Sequence, residues 1–190
     1  MILAHDLIEK ILARATNLDE CIVIVKDQTQ ANLRWANSTL TTNGVIQERN
    51  VTVLAFISTG GKMAAGGVSR TNVDESDIDD LVNEATAAAK AAGPADDYAP
   101  IAKDWQHGSW DGAHSPTDSS IFKTFAPELG DLLKRSIAEQ IELFGYAEHT
   151  HATTWLGSKG GLRLRVDSPN GRVEMTAKSH QRSRSTWELS

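Results

Sequence analysis

The chain is poor in the residues that most often announce chemistry. Cys21 is its only cysteine. One thiol cannot close an internal disulfide, so nothing points to an oxidising compartment. It opens the apolar run Cys21-Ile22-Val23-Ile24-Val25, where a small buried hydrophobe is expected rather than a reactive thiol. No stretch approaches the ~18 apolar residues of a membrane span. The first residues carry Asp6 and Glu9 in place of a basic leader, which argues against a signal peptide and makes the cytoplasm the expected address. No Gly-x-Ser-x-Gly elbow occurs, so a serine hydrolase has no support. None of the six histidines is followed by glutamate, which removes a helical His-Glu-x-x-His zinc site from within these residues.

Positive charge is also scarce. The net charge is −6, and residues 1–100 hold 14 acidic against 8 basic side chains, with 11 of each in the remainder. An acidic total opposes a dedicated nucleic-acid binder, which needs a basic face. Residues 159–190 run the other way, with seven basic residues against three acidic ones. Solvated strand faces or a subunit contact explain that segment better than a nucleic-acid surface.

What the chain does have is alternation and turns. Its 190 residues, 40% of them hydrophobic, suffice for one well-buried domain or for one domain plus part of another. Residues 3–16 read as an amphipathic helix on the stripe Ala4, Ile8, Ile11, Leu12 and Ala15. Cys21–Gln30 reads as a strand, with a turn from Thr29 to Asn32. The stretch from Leu33 to Arg70 then reads as a meander: Leu33–Ala36, Thr39–Thr42, a hairpin at Asn43-Gly44, Val45–Arg49, Val51–Ser58, and a return at Gly60-Gly61. The small residues Ala64, Ala65, Gly66 and Gly67 call for close packing or a bulge there. They lack the Gly-Lys-Ser/Thr ending of a phosphate loop.

Asp74 is a good N-cap for a helix running to about Ala92, stopped by Gly93-Pro94. Residues 94–117 are polar and broken, and read as a long linking loop pinned by Trp105 and Trp110. Residues 118–137 read as a second helical block that Pro127 kinks or restarts. Ile141–Leu156 alternates as one or two strands. A final hairpin, Leu162–Asp167 with Arg172–Lys178, is predicted across Ser168–Gly171; it sets Val166 against Val173, Arg165 against Glu174 and Asp167 against Arg172. The expected fold class is therefore α+β, antiparallel β-meanders packed with helices. The order helix, meander, helix, then helix and meander suggests an internal repeat. The expected organisation is a first α+β unit over 1–93, a linking loop over 94–117, and a second helix plus meander over 118–190.

Glu148-His149-Thr150-His151 is the best metal candidate. Residues i and i+2 of a strand share a face, so His149 and His151 could meet one ion. A zinc site needs three or four ligands, and His107, His114 and His180 stand at no motif spacing, so a structural role is preferred for the pair. No catalytic, cofactor-binding or metal residue is assigned.

Two groups of residues carry a resemblance. Arg34-Trp35-Ala36-Asn37-Ser38-Thr39-Leu40-Thr41-Thr42-Asn43-Gly44 resembles the N-terminal region of the TldD/TldE (PmbA) family, once called "modulator of DNA gyrase". So do Tyr146-Ala147-Glu148-His149, Thr153–Gly157, Gly161–Arg165, Gly171–Met175 and Lys178-Ser179, and they are closer to the TldE/PmbA branch. The resemblance covers nearly the whole chain in order. It implies a cytoplasmic metallopeptidase family in which TldD and TldE pair as a heterodimer that degrades or trims unfolded peptides. In that family zinc is held in the C-terminal half of TldD, by a His-Glu-x-x-x-His helix and a later cysteine, and TldE lacks those ligands. This sequence ends at Ser190, before that half, so no ligand is carried over and no cofactor is expected in this chain. The implied partners are a TldD-like subunit and an unfolded peptide, with no membrane. The chain is expected to be a truncated gene product or a piece comprising the N-terminal region.

Overall fold

Three strands are far longer than the turn signals suggest. The computed structural model describes residues 2–189. In chain order the elements are α1 (Ala4–Arg14), β1 (Glu20–Ala36), β2 (Thr39–Thr59), β3 (Lys62–Thr71), α2 (Ile78–Ala92), β4 (Gln106–His107), α3 (Phe125–Ala138), β5 (Glu142–Ser158), β6 (Arg163–Ser179) and β7 (Arg184–Leu189). The strand order is β3-β2-β1-β5-β6-β4, with β7 also on β6. This is the α+β class read from the sequence, and a three-strand meander follows both α1 and α3.

Three predicted turns do not form. Thr29–Asn32 lies inside β1, and Asn43-Gly44 lies inside β2. The hairpin sits instead at Asn37-Ser38, where both residues are left-handed (φ 49° and 56°), the backbone that a tight two-residue loop demands. Tertiary hydrogen bonds select that site. Ser38 is buried, and its N–H donates to Leu143 O at 2.9 Å. Its Oγ accepts from Leu143 N at 3.0 Å and lies 2.8 Å from Ser136 Oγ. Among the described residues Asn43-Gly44 has no such anchor; Asn43 is exposed and Gly44 half-buried.

The hairpin predicted across Ser168–Gly171 is likewise replaced by one continuous strand, β6. Pro169 is tolerated because the outer edge of β6 is unpaired there: β4 pairs with Arg163 and Leu164, and β7 with Glu174–Ser179. The expected cross-strand ion pairs become same-strand ones, Arg165 Nη1 to Asp167 Oδ2 at 2.9 Å and Arg172 Nη1 to Glu174 Oε1 at 3.4 Å. The chain reverses into β7 through His180, Gln181 and Arg182, all at positive φ.

The fold gathers the chain into two compact units, each built from separated segments. The first takes Met1–Asp27, Glu48–His114 and Thr153–Asp167; the second takes Gln28–Gln47, Ser115–Ala152 and Ser168–Ser190. β1, β2, β5 and β6 each give one end to each unit.

The first unit packs α1 and α2 on the sheet. Cys21, Val23 and Val25 alternate inward from β1, and Val51, Val53 and Ala55 from β2. They meet Leu7, Ile8 and Ile11 of α1 and Leu81, Ala85 and Ala89 of α2, with Trp155 from β5. α2 begins from a 3-10 turn capped as predicted: Asp74 accepts from Ser76 N at 2.9 Å, and Asp77 returns a bond to Asp74 N at 3.0 Å. The Ser76 hydroxyl, then its amide, hold the Asp74 carboxyl below its ordinary range. The small residues of β3 mark a close approach. A Cβ at Gly66 would stand 2.1 Å from Ala89 N, so only glycine lets α2 lie this near.

Arg49 buries its charge in this unit. The Arg49 guanidinium forms a fork on Asp27, with Nε to Oδ1 at 2.6 Å and Nη2 to Oδ2 at 2.7 Å, and Nη1 donates to Ile2 O at 2.7 Å. Such a pair is satisfied only when complete. The linking loop is pinned by Trp110, which packs on the core and accepts Trp155 Nε1–H at 3.1 Å on its carbonyl. Trp105 corrects the expectation: the residue is 59% exposed, and its carbonyl holds the loop by accepting from Arg163 N at 3.0 Å.

The second unit packs α3 over the far ends of the same strands. Ala31, Leu33 and Trp35 of β1 continue the odd-numbered inward face and meet Leu129 and Leu133 of α3, Phe122, Leu143 and Ala147. Pro127 stands in the first turn of α3, where its missing N–H is harmless. Trp35 lies 6.4 Å from Phe125 and fills the space above Gly145, where a Cβ would come within 2.6 Å of its ring.

Gly66→Val is expected to lower unfolding stability by about 1–3 kcal/mol through overpacking. Gly44→Ala, at a site open within 4 Å and without positive φ, should change it by less than about 0.5 kcal/mol. Urea titrations of the two variants check both. Arg49→Met, which strands Asp27 without its partner, should cost about 3–5 kcal/mol in the same measurement.

Candidate functional site

The inward face of β5 runs Leu143, Gly145, Ala147 and on to His149 and His151. Strand alternation therefore brings the two histidines to one face, as their spacing predicts. Both line one open hollow of about 420 Å³, with Thr117, Asp118, Ser120 and Lys123 opposite them. That wall is placed by hydrogen bonds. Thr117 N donates to Thr29 Oγ1 at 2.7 Å, and Thr117 Oγ1 lies 2.8 Å from His149 Nδ1. Asp118 then caps a 3-10 turn by accepting from Ser120 N at 2.8 Å.

His149 has its Nδ1 engaged by Thr117, which leaves Nε2 for any ligand. The Asp118 carboxyl is committed to its cap, and the Ser120 hydroxyl and amide hold it below its ordinary range. Among the described residues no three His, Cys, Asp or Glu side chains converge. A second hollow of about 720 Å³ is lined by Asn37, Ser38, Gln140, Glu142 and His180, among others. His180 Nδ1 lies 3.0 Å from the hydroxyl of its chain neighbour Ser179, an exposed contact.

One polar relay has no signal in the sequence. In the first unit Thr153 is fully buried, and its Oγ1 donates to Asp167 Oδ1 at 2.7 Å. Its single proton is thereby used, so His114 Nδ1, 2.9 Å away, is the donor on the other side. The His-Thr-Asp order imitates a catalytic triad, but a hydroxyl with no exposure cannot reach a substrate. The residues are 39 and 14 positions apart, and no spacing rule joins them.

Cys21 is inert by the same logic. Burial pushes its thiol up to about 11, against a smaller opposing pull from Lys159.

The basic segment is largely neutralised where it lies. Arg163 forks onto Glu9 at 2.6 and 2.8 Å, Arg165 meets Asp167, and Arg172 meets Glu174. Arg182 donates to Glu142 at 2.9 Å, and Lys159 donates to the carbonyls of Ala15, Thr16 and Leu18. Lys178 stands 5.1 Å over the Phe144 ring.

No family profile and no curated protein matches the sequence. Solved structures do match the fold. TldE from Thermococcus kodakarensis superposes with a TM-score of 0.64 at 12% identity, over 96% of this chain and 42% of that one. A protein of Thermotoga maritima, described as a candidate modulator of a DNA gyrase, gives 0.62 at 14% identity, over 97% and 42%. One of Bacteroides thetaiotaomicron, with the same description, gives 0.67 at 9% identity, over 97% and 44%. The chain thus spans less than half the length of the proteins whose fold it shares. No helix among the described residues is long and apolar enough to cross a membrane.

Native Cys21 should resist alkylation by iodoacetamide at neutral pH and react at once in denaturant. Mass spectrometry of the two samples checks this, and full labelling of the folded chain would contradict the buried placement.

Proposed function

We propose that this chain is the N-terminal domain of a TldE/PmbA-like protein of the TldD/TldE metallopeptidase family, acting in the cytoplasm in proteolysis of unfolded peptides. The observation that carries the reading is the fold likeness to TldE over 96% of the chain. It agrees with the motif resemblance that runs through the sequence from Arg34 to Ser179. In this reading the chain belongs to the metal-free subunit, and a TldD-like partner supplies zinc and the bond-breaking step. The contribution of the chain is a wall or an interface. The hydroxyl- and imidazole-lined hollow at His149 and His151 is then a structural polar site.

Two of the fold relatives are described as candidate gyrase modulators, which favours a DNA-associated role as the second reading. The charge arrangement opposes it. Counterion release needs free cations facing phosphate, and most arginines of residues 159–190 are held by carboxylates of the same chain.

A tagged chain is expected to retain a TldD-like subunit from the same organism on co-expression, and to cleave no unfolded casein by itself in the presence of zinc. Chelator-sensitive cleavage by residues 1–190 alone would overturn the metal-free assignment, and failure to retain the subunit would favour a non-proteolytic scaffold. Salt-dependent DNA binding that disappears in Arg182→Ala/Arg184→Ala would establish the second reading instead.

A further inference from the structure

β7 is the open edge of the sheet at the end of the second unit. It pairs with β6 on one side only, and all six of its residues are exposed. Trp187 is 58% and Leu189 48% exposed. An edge like this offers a row of unpaired backbone N–H and C=O groups to another strand.

Its two charges stand apart from the rest of the segment. Neighbouring Arg172 and Arg182 have carboxylate partners, whereas among the described residues neither Arg184 nor Glu188 makes an ion pair or a side-chain hydrogen bond. They cannot satisfy each other within one strand, because four residues of extended chain separate them by roughly 13 Å. They do share a face, the one carrying Ala177 and Met175 of β6.

From this arrangement we infer that β7 pairs antiparallel with β7 of a second copy of this chain. A two-fold axis normal to the sheet keeps faces in common, so only residues of like parity stand opposite one another. Among those registers, the one centred on Thr186 sets Arg184 against Glu188 of the second copy and Glu188 against its Arg184. It also sets Thr186 against Thr186, and Trp187 over Ser185. Opposite charges and paired threonines are the favourable cross-strand neighbours, and each occurs on this one strand in the order that symmetry needs. The inference is independent of the family reading, since it uses only this edge and its charges.

The test is sedimentation velocity on the full chain over a concentration series. The wild type is expected to associate to a dimer. Arg184→Glu places like charges opposite each other twice and should weaken the dimer at least about tenfold. The swap Arg184→Glu/Glu188→Arg should restore it, with circular dichroism unchanged throughout. Ile46→Lys, on the exposed part of β2, should leave association intact. A monomer at every concentration overturns the inference, as does a dimer indifferent to Arg184→Glu, a swap that fails to restore association, or a dimer abolished by Ile46→Lys.

Discussion

A single parity governs this chain. From Cys21 to Trp35 the odd-numbered residues of β1 turn inward, first Cys21, Val23 and Val25 against α1 and α2, then Ala31, Leu33 and Trp35 against the aromatic cluster under α3. A strand cannot slip by one residue without moving its whole inward set to water. Seventeen residues of one strand therefore supply an inward face to each of two cores. Between those apolar sets the inward positions are polar, Asp27 and then Thr29. Asp27 is acceptable only because Arg49 closes a two-pronged bond on it. Alternation and that buried pair form one constraint: the strand keeps its period through a charged position instead of breaking there.

Local periodicity was legible in the sequence, and so was helix punctuation. Ala4, Ile8 and Ile11 mark α1, Asp74 with Asp77 marks the cap before α2, and Gly66 marks the place where a helix backbone lies on β3. The length of β5 was legible from its alternation, but those of β1, β2 and β6 were not. Asn43-Gly44 and Ser168–Gly171 carry strong turn chemistry, yet both are read through. Turn propensity is a local preference of about a kilocalorie per mole, and the anchor that decides the matter for the first hairpin, Ser38 on Ser136 and Leu143, joins residues about a hundred positions apart. Pro169 escapes its usual penalty for a similarly non-local reason, since neither β4 nor β7 reaches that stretch of the edge.

The same division applies to the candidate site. That His149 and His151 share a face follows from strand geometry alone. What stands opposite them does not, because Thr117 and Asp118 come from a loop whose position depends on Thr29. The arginine-rich end reads as a basic surface in sequence and as a set of ion pairs in space. Charge counted along a chain overstates the charge presented to a partner when each guanidinium already faces a carboxylate. A fold shared at 12% identity places the likeness in architecture, which is where the sequence motifs already placed it.

The interleaving of the two units has a consequence for synthesis. Each unit is assembled from three separated segments, and the first is incomplete until Thr153–Asp167 has been made. Once residues 1–100 have been made, α1, α2 and three strands are present, and with them every residue of the first buried core except Trp155. What must wait is the other half of β1: Ala31, Leu33 and Trp35 stay uncovered until α3, β5 and β6 are made. Non-local closure of this kind is slow and leaves sticky intermediates. For this chain the hazardous interval is the elongation of β5 and β6, and a nascent-chain chaperone would have most to protect during that interval.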